Sequence, residues 1–457
     1  RARRQRQMCI RDRSMEDIKL ELENKNFQEL KEQLKNLNIA DIATLFESLE
    51  EPQQIIILFK LLSKDVAADV FSFLNSDMQE TIINALKDKE IEHIMADLYM
   101  DDAADFVQEM PANVVKRVLK NTTKENRDII NKLLSYPENS AGSIMTTEFI
   151  DIKQELTVDE AFKKIKKKAT DAETVGTIFV TDSKRKIQGV LSIKDLILAN
   201  SDDKIENIMN PNVVYSTTHT DQEEVSKLFD KYDFYALPII DTENRLVGIV
   251  TVDDIMDVVK EEATEDMEIM AAISPTDDPY LKTSAFTHAK KRIFWLLFLT
   301  LSASITGAIM SFFEDAFVAI PALVTFIPML MGTGGNCGSQ SATLVIRGLA
   351  LNEITLKDYF KVAFKEFKVS LLVSSVLSIV NFVIVWIRYG DPLLGLVIAL
   401  SLVIVVIIAE FIGGGLPILA KKCKLDPAIM AAPIISTLVD CIAIVSYFLI
   451  ASAILGL

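Results

Sequence analysis

The chain has 457 residues, 50% of them hydrophobic and 25% charged, with a formal net charge of −16. The charge is unevenly spread: residues 285–457 carry 12 Lys/Arg against 9 Asp/Glu, whereas residues 15–284 sum to −24. So acidic a segment excludes nucleic acid as a partner and needs screening or bound cations to compact; four cysteines without CxxC spacing suggest neither a zinc site nor a disulfide framework.

The first fourteen residues, RARRQRQMCIRDRS, hold six Arg and one Asp and differ in composition from the rest of the chain. They are expected to be an artefact or a disordered arm and are set aside from the fold. They do not read as a signal peptide, because the arginines lead into no apolar core.

Residues 15–138 have a helical pattern throughout. ADIATLFESL (40–49) is echoed by DVAADVFSFL (65–74) and DDAADFVQEM (101–110), each followed by a short polar turn and another apolar helix. Repeats of this kind stack into a right-angled or superhelical array. Asp101, Asp102 and Asp105 suit the N-terminal turn of such a helix.

Residues 139–262 contain a different repeat. Ser143-Ile-Met-Thr recurs as Asn207-Ile-Met-Asn, and GVLSIKDLI (189–197) recurs as GIVTVDDIM (248–256), with the apolar strands TIFVTD and ALPIID between. This α/β pattern resembles a tandem pair of cystathionine-β-synthase (CBS) motifs. The resemblance implies a cleft for an adenine nucleotide such as ATP, with Ser192 and Asp195, and Thr251 and Asp254, at the ribose-contacting spacing. The same residues cap the following helix equally well.

From Asp254 onward acids crowd one stripe. On a continuous helix Asp254, Asp257, Glu261, Glu265 and Glu268 share a face, with Glu262 and Asp266 beside it. Like charges at i,i+4 destabilise a helix by a few tenths of a kcal/mol per pair, so the stripe asks for an outside counter-charge unless it is simply a solvated face. The helix is expected to run on through a linker, residues 263–289, directly into the first membrane span, where it would be placed to gate.

Residues 290–457 hold apolar runs long enough to cross a bilayer, which takes about 20 residues. Five spans are expected: Ile293–Phe313, one within Phe317–Leu351, one near Val369–Ile387, one near Leu393–Leu416 and one within Pro427–Leu457. Eleven basic residues lie on one side (Lys290, Lys291, Arg292; Arg347, Lys357, Lys361, Lys365, Lys368; Lys421, Lys422, Lys424) against Arg388 on the other. The positive-inside rule therefore puts the N-terminal half in the cytosol and the C-terminus outside. The second span contains Pro321, Pro328 and GTGGNCGSQS (332–341), which reads either as a cavity-lining break or as close helix packing through small residues. GGGLP (413–417) reads as a further break in the fourth.

Asp440 falls in the middle of the fifth span. A carboxylate there costs roughly 2.5–3.5 kcal/mol on insertion scales, so it should face a cavity or a partner. It is either hydrogen-bonded to a neighbour such as Thr437 or paired with Arg347, or it is a cation site. A hard dication such as Mg²⁺ takes oxygen ligands and sheds water reluctantly, which favours a wide site gripping the ion through its waters. Five spans give no simple internal two-fold, and in a symmetric dimer one Asp440 becomes two. Asn336 and Asp426 are candidate mouth or filter groups, and Glu410 is a second intramembrane acid.

The order of these parts, with FIPMLMGTGGNCGSQS (326–341), DPAIMAAPIISTLVD (426–440) and EEATED (261–266), resembles the MgtE family of magnesium channels and transporters over residues 15–457. The resemblance implies three parts: an all-α helical-repeat N-domain, a tandem CBS pair and a five-helix transmembrane domain. It also implies a homodimer in the plasma membrane, with a pore between copies where Asp440 selects hydrated Mg²⁺. Intracellular Mg²⁺ would bridge the cytosolic parts and shut the pore through Asp101, Asp105, Glu223, Asp233, Asp254, Asp257, Glu262, Glu265 and Asp266; Asp230 has no clear counterpart. The sign comes from electrostatics, since only the compact state lets carboxylates of different domains share ions.

Three rival readings differ in class. A CBS-bearing chloride channel would need a far longer membrane half and basic partners for the mid-span acid. A transporter of Co²⁺ or Mn²⁺ is separated by competition during transport, and a non-conducting Mg²⁺- or nucleotide-sensing protein by flux from purified protein. No nucleophile–base pair, phosphate loop or catalytic metal motif points to an enzyme.

Overall fold

The computed structural model describes residues 18–22, 24–49, 51–276, 280–281, 283–314, 318, 320–430 and 432–456. The 1–14 segment lies outside them. The chain divides into two compact units, one up to Val259 and one from Lys260 to the end.

The first unit opens with short helices: α1 (Phe27–Leu34), α2 (Ile39–Glu47), α3 (Pro52–Leu61), α4 (Lys64–Ser72), α5 (Ser76–Ala85), α6 (Asp88–Asp97), α7 (Met100–Glu109), α8 (Ala112–Asn121) and α9 (Lys124–Leu133). Each is 8–10 residues long, too short to stand alone in water, so tertiary packing stabilises it. Along most of the array each helix packs on the one two places along the chain, as in a superhelix. The three echoed strings fall on α2, α4 and α7, and their buried phenylalanines, bridged by Phe59 of α3, form a continuous edge-to-face ladder. Phe46, Phe59, Phe71 and Phe106 succeed one another at ring spacings of 6.3, 6.2 and 5.1 Å.

The CBS pair comprises β1 (Asp151–Lys153), α10 (Val158–Lys168), β2 (Thr177–Thr181), β3 (Ile187–Ser192), α11 (Ile193–Leu198), α12 (Ile205–Ile208), β4 (Ser216–Thr217), α13 (Gln222–Tyr232), β5 (Ala236–Ile240) and β6 (Leu246–Thr251). They form two three-stranded sheets of equal topology, β1-β2-β3 and β4-β5-β6, each with one parallel and one antiparallel pairing. The repeated Ile-Met strings interlock the two. A Cβ on Gly248 of the second motif would stand 2.7 Å from Met145 Sδ of the first, and one on Gly189 would stand 2.5 Å from Met209 Sδ. The core of the helical array continues into the CBS pair through Met145 of the first motif and Phe229, Leu237 and Ile255 of the second.

Helix α14 (Val252–Met270) does not run on into the membrane helices, contrary to the expected continuous linker. It stops where Ala272 adopts a left-handed φ of 55° and the Ile273 N–H returns to the Glu268 carbonyl at 2.9 Å. The strand that leaves is tied down: the Thr276 N–H donates to Glu268 Oε2 at 2.8 Å, the Ser274 N–H to the Lys291 carbonyl at 3.1 Å, and Lys291 Nζ to the Pro275 carbonyl.

Five long helices complete the chain: α15 (Ala285–Phe312), α16 (Ala322–Ala350), α17 (Tyr359–Tyr389), α18 (Pro392–Lys422) and α19 (Ala432–Leu455). Among the described residues, four segments are long and apolar enough to cross a membrane, containing α15, α17, α18 and α19. The glycine and polar string of α16 keeps it outside that group, although at 29 residues it spans roughly 43 Å.

The expected breaks are absent. α16 is continuous through Pro328 and the GTGGNCGSQS string, and α18 continues through Pro417 to Lys422. Breaking a helix in an apolar medium strands backbone polar groups at several kcal/mol each, more than the roughly 1 kcal/mol that a helical glycine costs. The small residues instead serve close packing. A Cβ on Gly334 would meet Val405 and Val439 at 2.7 Å, and one on Gly338 would meet Ile435 at 2.7 Å.

Candidate functional site

In the first unit, α7 begins immediately after the extended residue Tyr99, so its first turn presents Asp101 and Asp102. Asp101 is only 7% exposed. β6 ends at Thr251 and α14 begins at Val252, which brings Asp254 into the same place. The loop before β2 supplies Glu173, held by its N–H to the Glu148 carbonyl at 2.9 Å. One carboxylate oxygen from each of Asp101, Glu173 and Asp254 lies within 4.8 Å of the other two.

Hydrogen bonding satisfies this trio only in part. Thr251 Oγ1 stands 2.5 Å from Asp254 Oδ2 and 3.0 Å from Glu173 Oε1, and its single proton serves one of them at a time. The Asp102 N–H donates to Asp101 Oδ1 at 3.0 Å. Glu173 Oε2 is buried, and among the described residues the Thr146 hydroxyl beside this carboxyl is engaged by Glu148 Oε2 at 2.9 Å. The trio opens into a cavity of about 570 Å³ that Asp69, Asp97, Asp102, Asp253 and Asp257 also line, with no Lys or Arg among the lining residues.

The carboxyls hold their protons accordingly. Burial, then the nearby charges of Glu173, Asp102 and Asp254, push Asp101 well above the ordinary aspartate range. Burial and Asp254 push Glu173 up to about 7. Burial followed by Asp254 raises Asp102 to about 6, and burial raises Asp254 to about 6 despite its bond from Thr251. A group of acids that desolvation and mutual repulsion both disfavour is stabilised by a multivalent cation.

The sequence reading therefore meets the structure unevenly. Asp101 and Asp254 come together, and Asp257 lines the same cavity. Asp105 is exposed further along α7. Glu223 pairs with Lys227 at 2.7 Å and Asp233 terminates α13 in a left-handed conformation; neither lines the cavity. Glu262, Glu265 and Asp266 fall on the C-terminal half of α14, in the second unit. Glu173 was missed, because it sits in a loop with no motif spacing; only its place just before a β-strand hints at a structural role. Ser192 and Asp195 satisfy each other as a capping box, with Ser192 Oγ donating to Asp195 Oδ2 at 2.7 Å. Those bonds, the one from the Ser192 N–H first, hold Asp195 below the usual range.

In the second unit, α16 turns its small face inward and a polar stripe outward: Gly332, Asn336, Gln340, Thr343 and Arg347 are exposed. The seating of Gly334 and Gly338 against Val439 and Ile435 fixes α19 one residue from Asp440. Asp440 is half-buried, and among the described residues it makes neither of the two contacts expected of a structural acid. Thr437 Oγ1 donates instead to the Pro433 carbonyl at 2.9 Å. Asp426 accepts from the Ala428 N–H at 2.8 Å and so opens the turn before α19.

A helical array and a CBS pair that share an acid cluster, followed by long apolar helices with a mid-span aspartate, define a membrane transport protein. Comparison with known proteins agrees. The family described as "Divalent cation transporter" (MgtE) matches residues 327–450, the MgtE intracellular N domain matches 37–139, and CBS domains match 141–202 and 205–261. The magnesium transporter MgtE of Thermus thermophilus is 38% identical over 91% of this chain and 92% of its own length. That of Bacillus subtilis is 36% identical over 90% and 91%. Among solved structures, the cytosolic domain of the Mg²⁺ channel MgtE in complex with ATP aligns with a TM-score of 0.51 at 37% identity, over 53% of this chain and 99% of that one. The soluble part of a magnesium transporter aligns with a TM-score of 0.52 at 31% identity, over 55% and 99%. The chain belongs to the MgtE family of divalent cation transporters, and is a transport protein rather than an enzyme.

Proposed function

We propose that this chain is a Mg²⁺-selective channel or transporter of the plasma membrane that intracellular Mg²⁺ closes. The observation that carries the regulatory half is the trio Asp101–Glu173–Asp254, three carboxylates within 4.8 Å of one another in a cavity that no basic side chain among the described residues lines. Hard oxygen donors with several acids near 6–7 suit Mg²⁺, which keeps part of its water shell in a cavity of this size. At low internal Mg²⁺ the carboxylates repel and loosen the unit. At high Mg²⁺ the ion bridges them, fixes Asp254 and with it α14, and closes the path; Asp257, Glu262, Glu265 and Asp266 extend the response along that helix.

The membrane half passes the ion at Asp440. Two copies of the chain, each presenting the α16 stripe with Asn336, enclose a path in which paired aspartates match the charge of the ion. The basic residues next to the spans put the helical array (15–138), CBS pair (139–262) and linker (263–289) in the cytosol and the end of the membrane domain (290–457) outside. ATP is the ligand of the CBS cleft, with Ser192, Asp195 and Thr251 at the ribose.

Mg²⁺ flux into liposomes holding the purified protein tests the path. Asp440→Asn should abolish flux in a chain that still folds; unchanged flux would remove Asp440 from the path.

A further inference from the structure

Glu366 on α17 and Glu410 on α18 are 8% and 4% exposed, and their side chains line one narrow gap between the two helices. An ionised carboxylate only accepts, so two carboxyls placed side by side can bond to each other only when one of them carries a proton.

The pair is closely held. Gly414 makes the space for it: a Cβ there would stand 3.0 Å from Glu366 Cγ and 3.2 Å from Ser341 Oγ. Ser341 on α16 donates to the Glu410 carbonyl at 3.3 Å, joining a third helix to the pair. The gap bounded by Tyr359, Ala363, Phe411, Gly414 and Gly415 leaves no room for a water molecule. A hydrated cation therefore does not fit between the carboxyls, but a proton does.

Among the described residues, the groups facing the pair carry no positive charge. α16 offers the Ser341 hydroxyl and the Cys337 thiol, α17 the Tyr359 phenol, and α19 meets this layer through the apolar Ile435 and Val439. The lysines of α17 are turned away. Lys361 pairs with Asp358 at 2.7 Å, Lys368 lies over the Phe364 ring at 4.4 Å, and Lys365 is exposed.

We propose that Glu366 and Glu410 form a proton-binding site between α17 and α18, whose shared proton holds these helices together and whose loss alters the rate of ion transport. When the proton leaves to solvent, two carboxylates remain in contact in a dry layer, where repulsion is strong. The helices then separate or admit water.

Infrared spectra of the full chain in lipid without Mg²⁺ read the site, as wild type minus Glu410→Gln and wild type minus Glu366→Gln. Each difference should show a protonated-carboxyl band that disappears as pH rises. Mg²⁺ flux in liposomes should change severalfold over that range in the wild type. In either Gln variant, whose amide keeps the hydrogen bond without an ionisable proton, that part of the pH dependence should be lost. No band in the differences, with pH profiles like the wild type, overturns the proposal. Should the Gln variants fail to fold, the spectrum of D101N/D102N/E173Q/D254N/D440N, freed of the cytosolic acid cluster and of the mid-span aspartate, decides: a titrating band is the expected result, and its absence overturns the site.

Discussion

Gly413 on α18 lies against Gly338 on α16 so closely that a Cβ on Gly413 would stand 2.1 Å from the Gly338 carbonyl oxygen. Backbone cannot yield as a flexible side chain does. Gly413→Ala should therefore cost at least the roughly 3 kcal/mol at the upper end of overpacking, seen as loss of folded protein in detergent. Gly307→Ala on α15, with nothing within 4 Å of the added carbon, should instead raise stability by up to roughly 1 kcal/mol in the same melt.

The acid trio links stability to pH. Glu173 at about 7 and Asp102 and Asp254 at about 6 keep protons that unfolded carboxyls release near pH 4. Between about pH 4 and 7 the folded state binds more protons than the unfolded one, so this contribution is full at low pH and is lost as pH rises through 7. Mg²⁺ competes with those protons. Thermal melts should show little stabilisation by Mg²⁺ at about pH 5 and much more above pH 7, about 2.7 kcal/mol when Mg²⁺ is at 100 times its Kd.

Glu173→Gln separates a ligand from a structural residue. Removing one of three crowded charges should leave the Mg²⁺-free melt unchanged or raised. The same change should weaken Mg²⁺ binding about tenfold or more, roughly 1.4 kcal/mol, in a calorimetric titration. A lower Mg²⁺-free melting temperature with unchanged affinity would mark Glu173 as structural.

Ala272 adopts a left-handed conformation where α14 ends, with φ of 55°. An L residue with a Cβ pays about 1–2 kcal/mol there, which glycine avoids. Ala272→Gly should raise stability by about 1 kcal/mol in a denaturation curve, and Ala272→Pro, whose ring cannot reach positive φ, should lower it.

Period and hydropathy made most of the architecture legible. Three echoed strings led to an array whose phenylalanines touch in sequence, and the paired Ile-Met strings led to two matching sheets locked by Met145 and Met209. The glycine string of α16 was harder, because close packing and a broken helix use the same residues. The difference lies in partners on other helices, such as Ile435 and Val439, that no local pattern encodes. The end of α14 was illegible for a like reason, since an alanine there marks no stop. In the acid trio, Asp254 stood out by its helical stripe, whereas Glu173 belongs only by virtue of the fold that carries its loop to Asp101.

The central claim is that Mg²⁺ held by the cytosolic carboxylates closes the transport path. Ion flux through the full chain in liposomes, recorded while Mg²⁺ is titrated on the cytosolic face, tests it most directly with wild type and Asp101→Asn/Asp254→Asn side by side. Flux in the wild type should fall as Mg²⁺ rises, and the variant should need roughly 5–150-fold more Mg²⁺ for the same closure, the usual range of coupling between sites. Closure of both at the same Mg²⁺ would contradict the account.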